Sequence, residues 1–596
     1  RRFSAPALAY RPPERHGGRW FRERVPDGAR NPVLEVADTA DGPGRVVVDL
    51  TRLDVAGTPH WRPSPDGRLL AFGVPGTGLF RVVDVDTGAV PMAGLPDDGA
   101  HRITWLPDAT GLFCVVNGSA RTRTHLVRLT AGPVVEPQRL PDDPVTRRVS
   151  VSSDGRWALA HDSTRPHHLR DLRGGDGWTP FLPGATGRFR GVVVGDEFIA
   201  VTDQDAPNGR VVAVPLDGSP WRELVPAGDD VLFAATDLGG ELLLSGYADG
   251  AGLLRRITPD GDVLGDVELP DKGMVWAGPG HDEDVVVPTR GGCTFSFSSL
   301  TRSPATYHHV VGGNRPRRVT TPLASVDGAV TWSGTAGGVP YKLVAKGGHS
   351  GPRPLVIGAY GALNIAWLPA YLFALPAAWV DLGGVYVHAH LRGGGEYGAG
   401  WWRAARRHTK QTTFDDLYRV AEDLVDRGWT TPEQLGVFGV SLGAVTAAVA
   451  ATQRPRLFRA CVAVMPVLDL LGCGADEATM AHIVATDLGD PRDPADAAVL
   501  RGYSPYHQVR DGTPYPAVLL DCGAANPSCP PWHGRKMTAR LRRATSSTHP
   551  VLLRVRPGGH LPETAAEDVL HREAEHLAFF ADELALPLPG RGQASA

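Results

Sequence analysis

From about residue 20 to 318 the chain is written in short apolar runs, broken every few positions by Gly, Pro or Asp. Hardly any of this stretch carries the 3.6-residue period of a helix, so it predicts strands joined by tight turns. One unit recurs. Trp61-Arg62-Pro63-Ser64-Pro65-Asp66-Gly67-Arg68 leads into Leu69-Leu70-Ala71-Phe72, and Trp105-Leu106-Pro107-Asp108-Ala109-Thr110-Gly111 leads into Leu112-Phe113-Cys114-Val115-Val116. Val151-Ser152-Ser153-Asp154-Gly155-Arg156 leads likewise into Trp157-Ala158-Leu159-Ala160. The aspartates at 66, 108 and 154 stand 42 and 46 residues apart, the period of a four-stranded propeller blade. Each Asp-Gly or related turn closes a hairpin. Later strands, at 197–201 and 241–245, follow with weaker turns. About 300 residues at roughly 43 per blade predict seven blades. A long array of β-sandwiches is the competing arrangement.

After about Thr320 the texture changes. Continuous apolar runs alternate with amphipathic stretches, which predicts a doubly wound, mostly parallel sheet. Buried strands are expected at 355–362, 383–390, 435–438, 460–465, 517–521 and 551–555. Asp415 and Asp416 are expected to open an amphipathic helix through Val425, their charges at the positive end of its dipole. The expected division is a propeller domain over 1–318, its first residues packing on the second domain, and a catalytic α/β domain over 319–596.

Composition narrows the function classes. A chain of 596 residues exceeds what one core organises. A net charge of -4 with no basic stripe points away from nucleic acid. No apolar stretch approaches the ~20 residues of a membrane span. The chain opens at Arg1 without a methionine or a signal-peptide pattern, so its start reads as trimmed. Six sparse cysteines without a C-x-x-C pair predict free thiols in a reducing, cytoplasmic setting, although Cys522 and Cys529 are near enough to share a loop. No metal-ligand spacing occurs. The cluster His281-Asp282-Glu283-Asp284 reads as a solvated hairpin tip, and neither metal nor cofactor is expected. The expected state is a monomer or weak homo-oligomer.

The chemistry centres on Gly439-Val440-Ser441-Leu442-Gly443, set between the apolar run 435–438 and the Ala-rich stretch 444–451. Strand, sharp turn and helix in that order make the nucleophile elbow of an α/β-hydrolase, and Ser441 is its candidate nucleophile. That fold places acid and histidine after later strands. His560, in a Gly-Gly-His turn after the last predicted strand, is the candidate base.

Further residues make the second half resemble the prolyl oligopeptidase family of serine peptidases. They are the run Arg392-Gly393-Gly394-Gly395-Glu396-Tyr397-Gly398, then Trp402, Lys410-Gln411, Phe414-Asp415-Asp416, Gln453-Arg454-Pro455, Asp469 and Tyr503-Ser504-Pro505. The resemblance implies a propeller that caps the active site and excludes folded proteins, and a peptide as substrate. By position it implies that the Tyr360 hydroxyl and the Leu442 backbone N–H form the oxyanion hole.

Two places depart from the family pattern. Asn526 occupies the position of the catalytic aspartate, and Ser528 replaces a substrate-gripping arginine. In the pocket, Leu363, Val484 and Leu488 stand where prolyl-specific relatives carry aromatic side chains. Asp469 is the candidate alternative acid and Asp521 a second, each with a structural role as the competing reading. Two functions follow. One is a serine hydrolase on short or unstructured peptides, attenuated or altered in specificity, releasing its acyl group to water or to an amine as a macrocyclase does. The other is a catalytically silent member that binds a peptide or partner protein.

Overall fold

The computed structural model describes residues 2–3, 12–26, 29, 31–53, 59–74, 77–95, 99–117, 122–130, 132–141, 145–174, 177–276, 285–348, 351–475, 487–560 and 566–587. Val484 and the acidic cluster at 281–284 lie outside them. Among the described residues, no helix is long and apolar enough to cross a membrane.

Strands up to Arg318 form seven antiparallel sheets, the blades of a propeller, at 14–49, 60–93, 100–138, 148–180, 189–225, 231–266 and 274–318. The recurring Asp turns join the first two strands of blades 2, 3 and 4. Their chemistry is local. In blade 2 the Ser64 hydroxyl donates to Asp66 Oδ1 at 2.5 Å and accepts from Leu69 N at 2.9 Å. Ser152, Asp154 and Trp157 repeat the pattern in blade 4 at 2.6 and 2.9 Å. Gly67 and Gly155 take φ of 70° and 71° there, a region that costs other residues strain. Blade 3 places Ala109 at φ 59° instead.

Apolar clusters bind each blade to the next, from blades 1 and 2, through Phe21, Trp61 and Phe72, to blades 6 and 7, through Leu254, Phe295 and Tyr307. Indole donors reinforce three junctions: Trp61 Nε1 to Glu23, Trp105 Nε1 to the Arg62 carbonyl and Trp178 Nε1 to Gln138. Among the described residues, blades 7 and 1 pair no strands and no apolar cluster joins them.

The second domain is built on an eight-stranded sheet: β1 Ala329–Ala336, β2 Val339–Lys346, β3 Leu355–Ala359, β4 Val385–Ala389, β5 Leu435–Val440, β6 Ala460–Val464, β7 Ala517–Gly523 and β8 Val551–Arg556. Their spatial order is β1-β2-β4-β3-β5-β6-β7-β8. The β1–β2 and β2–β4 pairs are antiparallel and the rest parallel. Strands β3, β4 and β6, apolar apart from His388, are buried along their whole length, as helices on both faces require. Three of those helices matter below: α1 Gln411–Asp426, α2 Leu442–Gln453 and α3 Ala566–Glu583.

The expected start of α1 is corrected by one turn. The helix begins at Gln411, so Asp415 and Asp416 lie past its positive end. Asp416 is fully buried and answers Arg392 Nε at 2.8 Å and Arg419 Nη1 at 2.8 Å. Its job is to tie the glycine-rich loop to the helix, and the dipole has no part in it. The antiparallel β1–β2 hairpin had no counterpart among the expected strands.

The domains meet where the hairpin tip of blade 6 enters the second domain. Fully buried Lys342 donates to Asp249 at 2.6 Å and to Ser333 at 2.8 Å. A Cβ on neighbouring Gly250 would come 2.1 Å from the His390 ring, so no larger residue fits that tip. Ahead of blade 1, Phe3 packs on the second domain's core, and its carbonyl accepts from the Tyr371 hydroxyl at 2.7 Å.

Candidate active site

Ser441 follows β5, whose neighbours β3 and β6 lead to opposite flanks of the sheet. Open parallel sheets bind ligands at this switch point, beyond the carboxyl ends of the strands. Ser441 has φ 57° and ψ -122°, a conformation L residues hold only under strain. Two bonds hold it there: Ser441 N to Val464 O at 2.9 Å and Ala444 N to Ser441 O at 3.0 Å. The flanking glycines are sterically required. A Cβ at Gly439 would sit 2.0 Å from the Gly443 carbonyl, and one at Gly443 2.5 Å from the Ala359 carbonyl.

The candidate base and the residue in the acid's place meet across two stitched loops. Ala524 N donates to Arg556 O at 2.7 Å and Ala525 N to Gly558 O at 2.9 Å, joining the end of β7 to the turn after β8. Asn526, buried to 3 % exposure, then puts its amide Nδ2 3.2 Å from His560 Nδ1. Its Oδ1 accepts from the backbone N–H of Cys529 at 2.9 Å. That second bond decides the first. Flipping the amide would set its N–H against the Cys529 N–H, two donors face to face, so the nitrogen stays turned to the histidine.

The consequence is a tautomer. Nδ1 of His560 must present its lone pair to the amide, so the ring proton resides on Nε2. A base working on a serine needs the reverse, a lone pair on Nε2 and a proton on Nδ1. Burial also holds the His560 pKa below the usual histidine value. Neither alternative carboxylate meets His560. Asp469 is engaged by Lys536, by Gly472 N at 2.8 Å and by His507 at 3.9 Å. Asp521 answers Arg556 at 3.0 Å and His576 at 2.8 Å.

Tyr360 ends the approach from β3. Burial, with Asp487 and Cys529 nearby, pushes its hydroxyl up to about 12, so it is a proton donor at any working pH. Leu442 is the first residue of α2, whose leading N–H groups have no acceptor within the helix. Beside Ser441 lies the buried Cys529 thiol. Burial pushes it up to about 12 while the serine hydroxyl, close enough to interact, pulls the other way. A thiol so held is a poor nucleophile.

The residues expected to line the pocket divide. Leu363 is half-buried at φ 59°, its N–H on Asp487 Oδ1 at 3.2 Å. Leu488 is 1 % exposed and packs in the core. Ser528 is half-buried. Asp487 itself is fully buried and also binds Lys410 Nζ and Trp402 Nε1, each at 2.9 Å. Lys410 passes that anchorage to the Gly361 carbonyl at 2.6 Å, next to Tyr360.

Sequence reasoning missed Trp367, His388 and Glu396. The Trp367 ring stacks on Tyr360 with centroids 5.1 Å apart and planes 10° apart, and His388 stacks at 5.9 Å and 3°. Glu396, 1 % exposed, accepts from Trp367 N at 2.9 Å, and burial raises its pKa to about 8. Glu396 stood in a quoted motif, but nothing in that motif names its partner.

A serine held in a strained elbow, below a seven-bladed propeller, defines a propeller-capped α/β-hydrolase. The chain belongs to the prolyl oligopeptidase family: the profile of that family matches residues 371–586, and that of the prolyl oligopeptidase N-terminal beta-propeller domain matches 6–318. It is similar to a prolyl endopeptidase of Elizabethkingia meningoseptica, 27% identical over 460 residues, a match covering 73% of this chain and 63% of that protein. It is similar also to dipeptidyl aminopeptidase BI of Pseudoxanthomonas mexicana, 24% identical over 631 residues, covering 96% and 85%. Among solved structures, one of two prolyl endopeptidases superposes with a TM-score of 0.76 at 24% identity, covering 96% of this chain and 89% of that one. Prolyl oligopeptidase B from Galerina marginata superposes at 0.78 and 17%, covering 98% and 91%.

Proposed function

We propose that this chain is a serine peptidase of the prolyl oligopeptidase type, acting on short or unstructured peptides, with its rate held down by Asn526. Ser441 attacks the carbonyl, His560 takes the serine proton, and Tyr360 with the Leu442 N–H receives the charge on the oxygen. The acyl-enzyme then passes to water or to an amine. Prolyl oligopeptidase B from Galerina marginata, whose fold this chain shares, is solved bound to a hydrolysis and macrocyclization substrate, and the second route is proposed beside the first. The observation that carries the reading is the strained backbone at Ser441, held by two glycines that tolerate no side chain. A chain without use for a serine there gains nothing from the strain.

Attenuation rests on the amide. The neutral histidine is held in the tautomer with Nδ1 bare. The imidazolium formed during attack would point an Nδ1–H at the Asn526 N–H. Both effects oppose turnover. In a trypsin-like protease the same exchange of acid for amide lowers kcat about 10⁴-fold. Leu363 stands where prolyl-specific relatives carry an aromatic side chain, and an aliphatic residue there gives up ring stacking on proline, so strict proline specificity is not expected. Six free, buried cysteines support a reducing compartment, the cytoplasm.

The silent-binder reading draws on the same pinned amide, and labelling separates the two. A fluorophosphonate probe should label Ser441 slowly in the parent protein, and about 10²–10⁴-fold faster in Asn526→Asp. Parent protein that stays unlabelled while Asn526→Asp reacts belongs to a binding protein. Product masses from a long peptide substrate then distinguish hydrolysis from acyl transfer.

A further inference from the structure

We infer that Trp367, clamped by Glu396 and His388, is a positioning residue that holds the Tyr360 hydroxyl where the oxyanion develops. The inference rests on the proposed role of Tyr360. A tyrosine supplies its donor at the tip of a long side chain, and donors at an oxyanion must be placed to within a few tenths of an ångström. Something must stop the Tyr360 ring from swinging. The indole of Trp367 lies flat against it, 5.1 Å between centroids.

Trp367 is held at both backbone polar atoms and at its ring. Its N–H donates to Glu396 Oε1 at 2.9 Å, and its carbonyl accepts from His388 Nε2 at 2.5 Å. Burial lowers the His388 pKa to about 4, so the ring is neutral, and the bond to a carbonyl places its proton on Nε2. Phe373 touches the indole at 6.4 Å. The indole is half-buried and lies parallel to both the Tyr360 ring and the His388 ring.

The loop between the two rings explains the need for a clamp. Leu363 and Asn364 both sit at positive φ, 59° and 55°, strain that would relax if its ends were free. One end is tied through Leu363 N to Asp487, the other through Trp367 to Glu396. Glu396 Oε2 and Trp367 Nε1 are buried without partners, and such costs persist where geometry is over-determined.

The test measures fluorophosphonate labelling of Ser441 and peptide kinetics in Trp367→Ala, Trp367→Leu and Trp367→Phe, each alone and with Tyr360→Phe. Trp367→Leu keeps the volume without the ring, should the alanine variant fold poorly. Losing the indole should slow labelling roughly 10–10²-fold and lower kcat with KM little changed. Trp367→Phe should restore most of the rate. In the Tyr360→Phe background, losing the indole should change nothing, because the group it positions is gone. An equal loss in both backgrounds, or none in either, overturns the inference while the serine hydrolase stands. A parent protein and Asn526→Asp variant that both resist labelling overturn the reading at Ser441 itself.

Discussion

At Asn526 a single atom separates two chemistries, because the backbone N–H of Cys529 would anchor one oxygen of an aspartate as it anchors the amide oxygen. Asn526→Asp would therefore turn a carboxylate oxygen towards His560 Nδ1 without rearranging the loop. The new charge should raise the His560 pKa, which burial now depresses, by about 1–3 units. A base works only when unprotonated, so the acid limb of the pH–rate profile should move to higher pH as kcat climbs. A limb that stays in place would mean that His560 is not the titrating base. The substitution was legible in the sequence, since the loop around position 526 keeps the family's spacing. The direction of the amide was not, because it depends on a backbone donor three residues on. Trp367 was equally hidden. Its partners Tyr360 and His388 come from two different strands, and the loop that folds it back turns on two positive φ values.

Elements were readable where their cause is local. The Ser-x-Asp-Gly turns close hairpins through bonds spanning at most five residues, so each announces itself in one short window. Blade 3 tests that logic, because Ala109 takes the left-handed conformation that glycine takes in blades 2 and 4. Ala109→Gly should relieve strain of ~1–2 kcal/mol and cost part of it in chain entropy, for a net gain of about 0.5–1 kcal/mol. Urea unfolding of the parent and variant measures it, and a loss of stability would mean that the alanine packs better than its angle suggests. Boundaries set by distant partners were not readable. α1 begins a turn early because Lys410, just before it, is drawn into the buried bond with Asp487. The β1–β2 hairpin escaped notice because β1 is a sheet edge with a half-exposed pattern and no continuous apolar run.

Across the whole molecule the propeller is a ring with one soft joint. Six junctions carry apolar clusters; between blades 7 and 1 the described residues offer neither a cluster nor a strand pair. Local opening follows buried apolar contact, so this seam should open first. Amide exchange measured by mass spectrometry should be faster at 14–24 and 287–310 than at the blade 3–4 junction around Phe113 and Trp178. Equal protection around the ring would refute the soft joint. Blade 6, one blade away from the seam, is tied to the second domain by Lys342 to Asp249. The two-domain plan was legible from the change of periodicity near Thr320, but the seam was not, because it depends on how apolar side chains from different blades pack together.

Asn526 is followed by Pro527, and this sets how the protein ages. Asparagines commonly lose their amide when the next backbone nitrogen attacks the side chain, and a proline nitrogen carries no hydrogen to allow it. The ordinary spontaneous route from Asn526 to aspartate is closed. Old and fresh preparations should behave alike, and any slow activity they display belongs to the asparagine form and not to a trace of self-repaired enzyme.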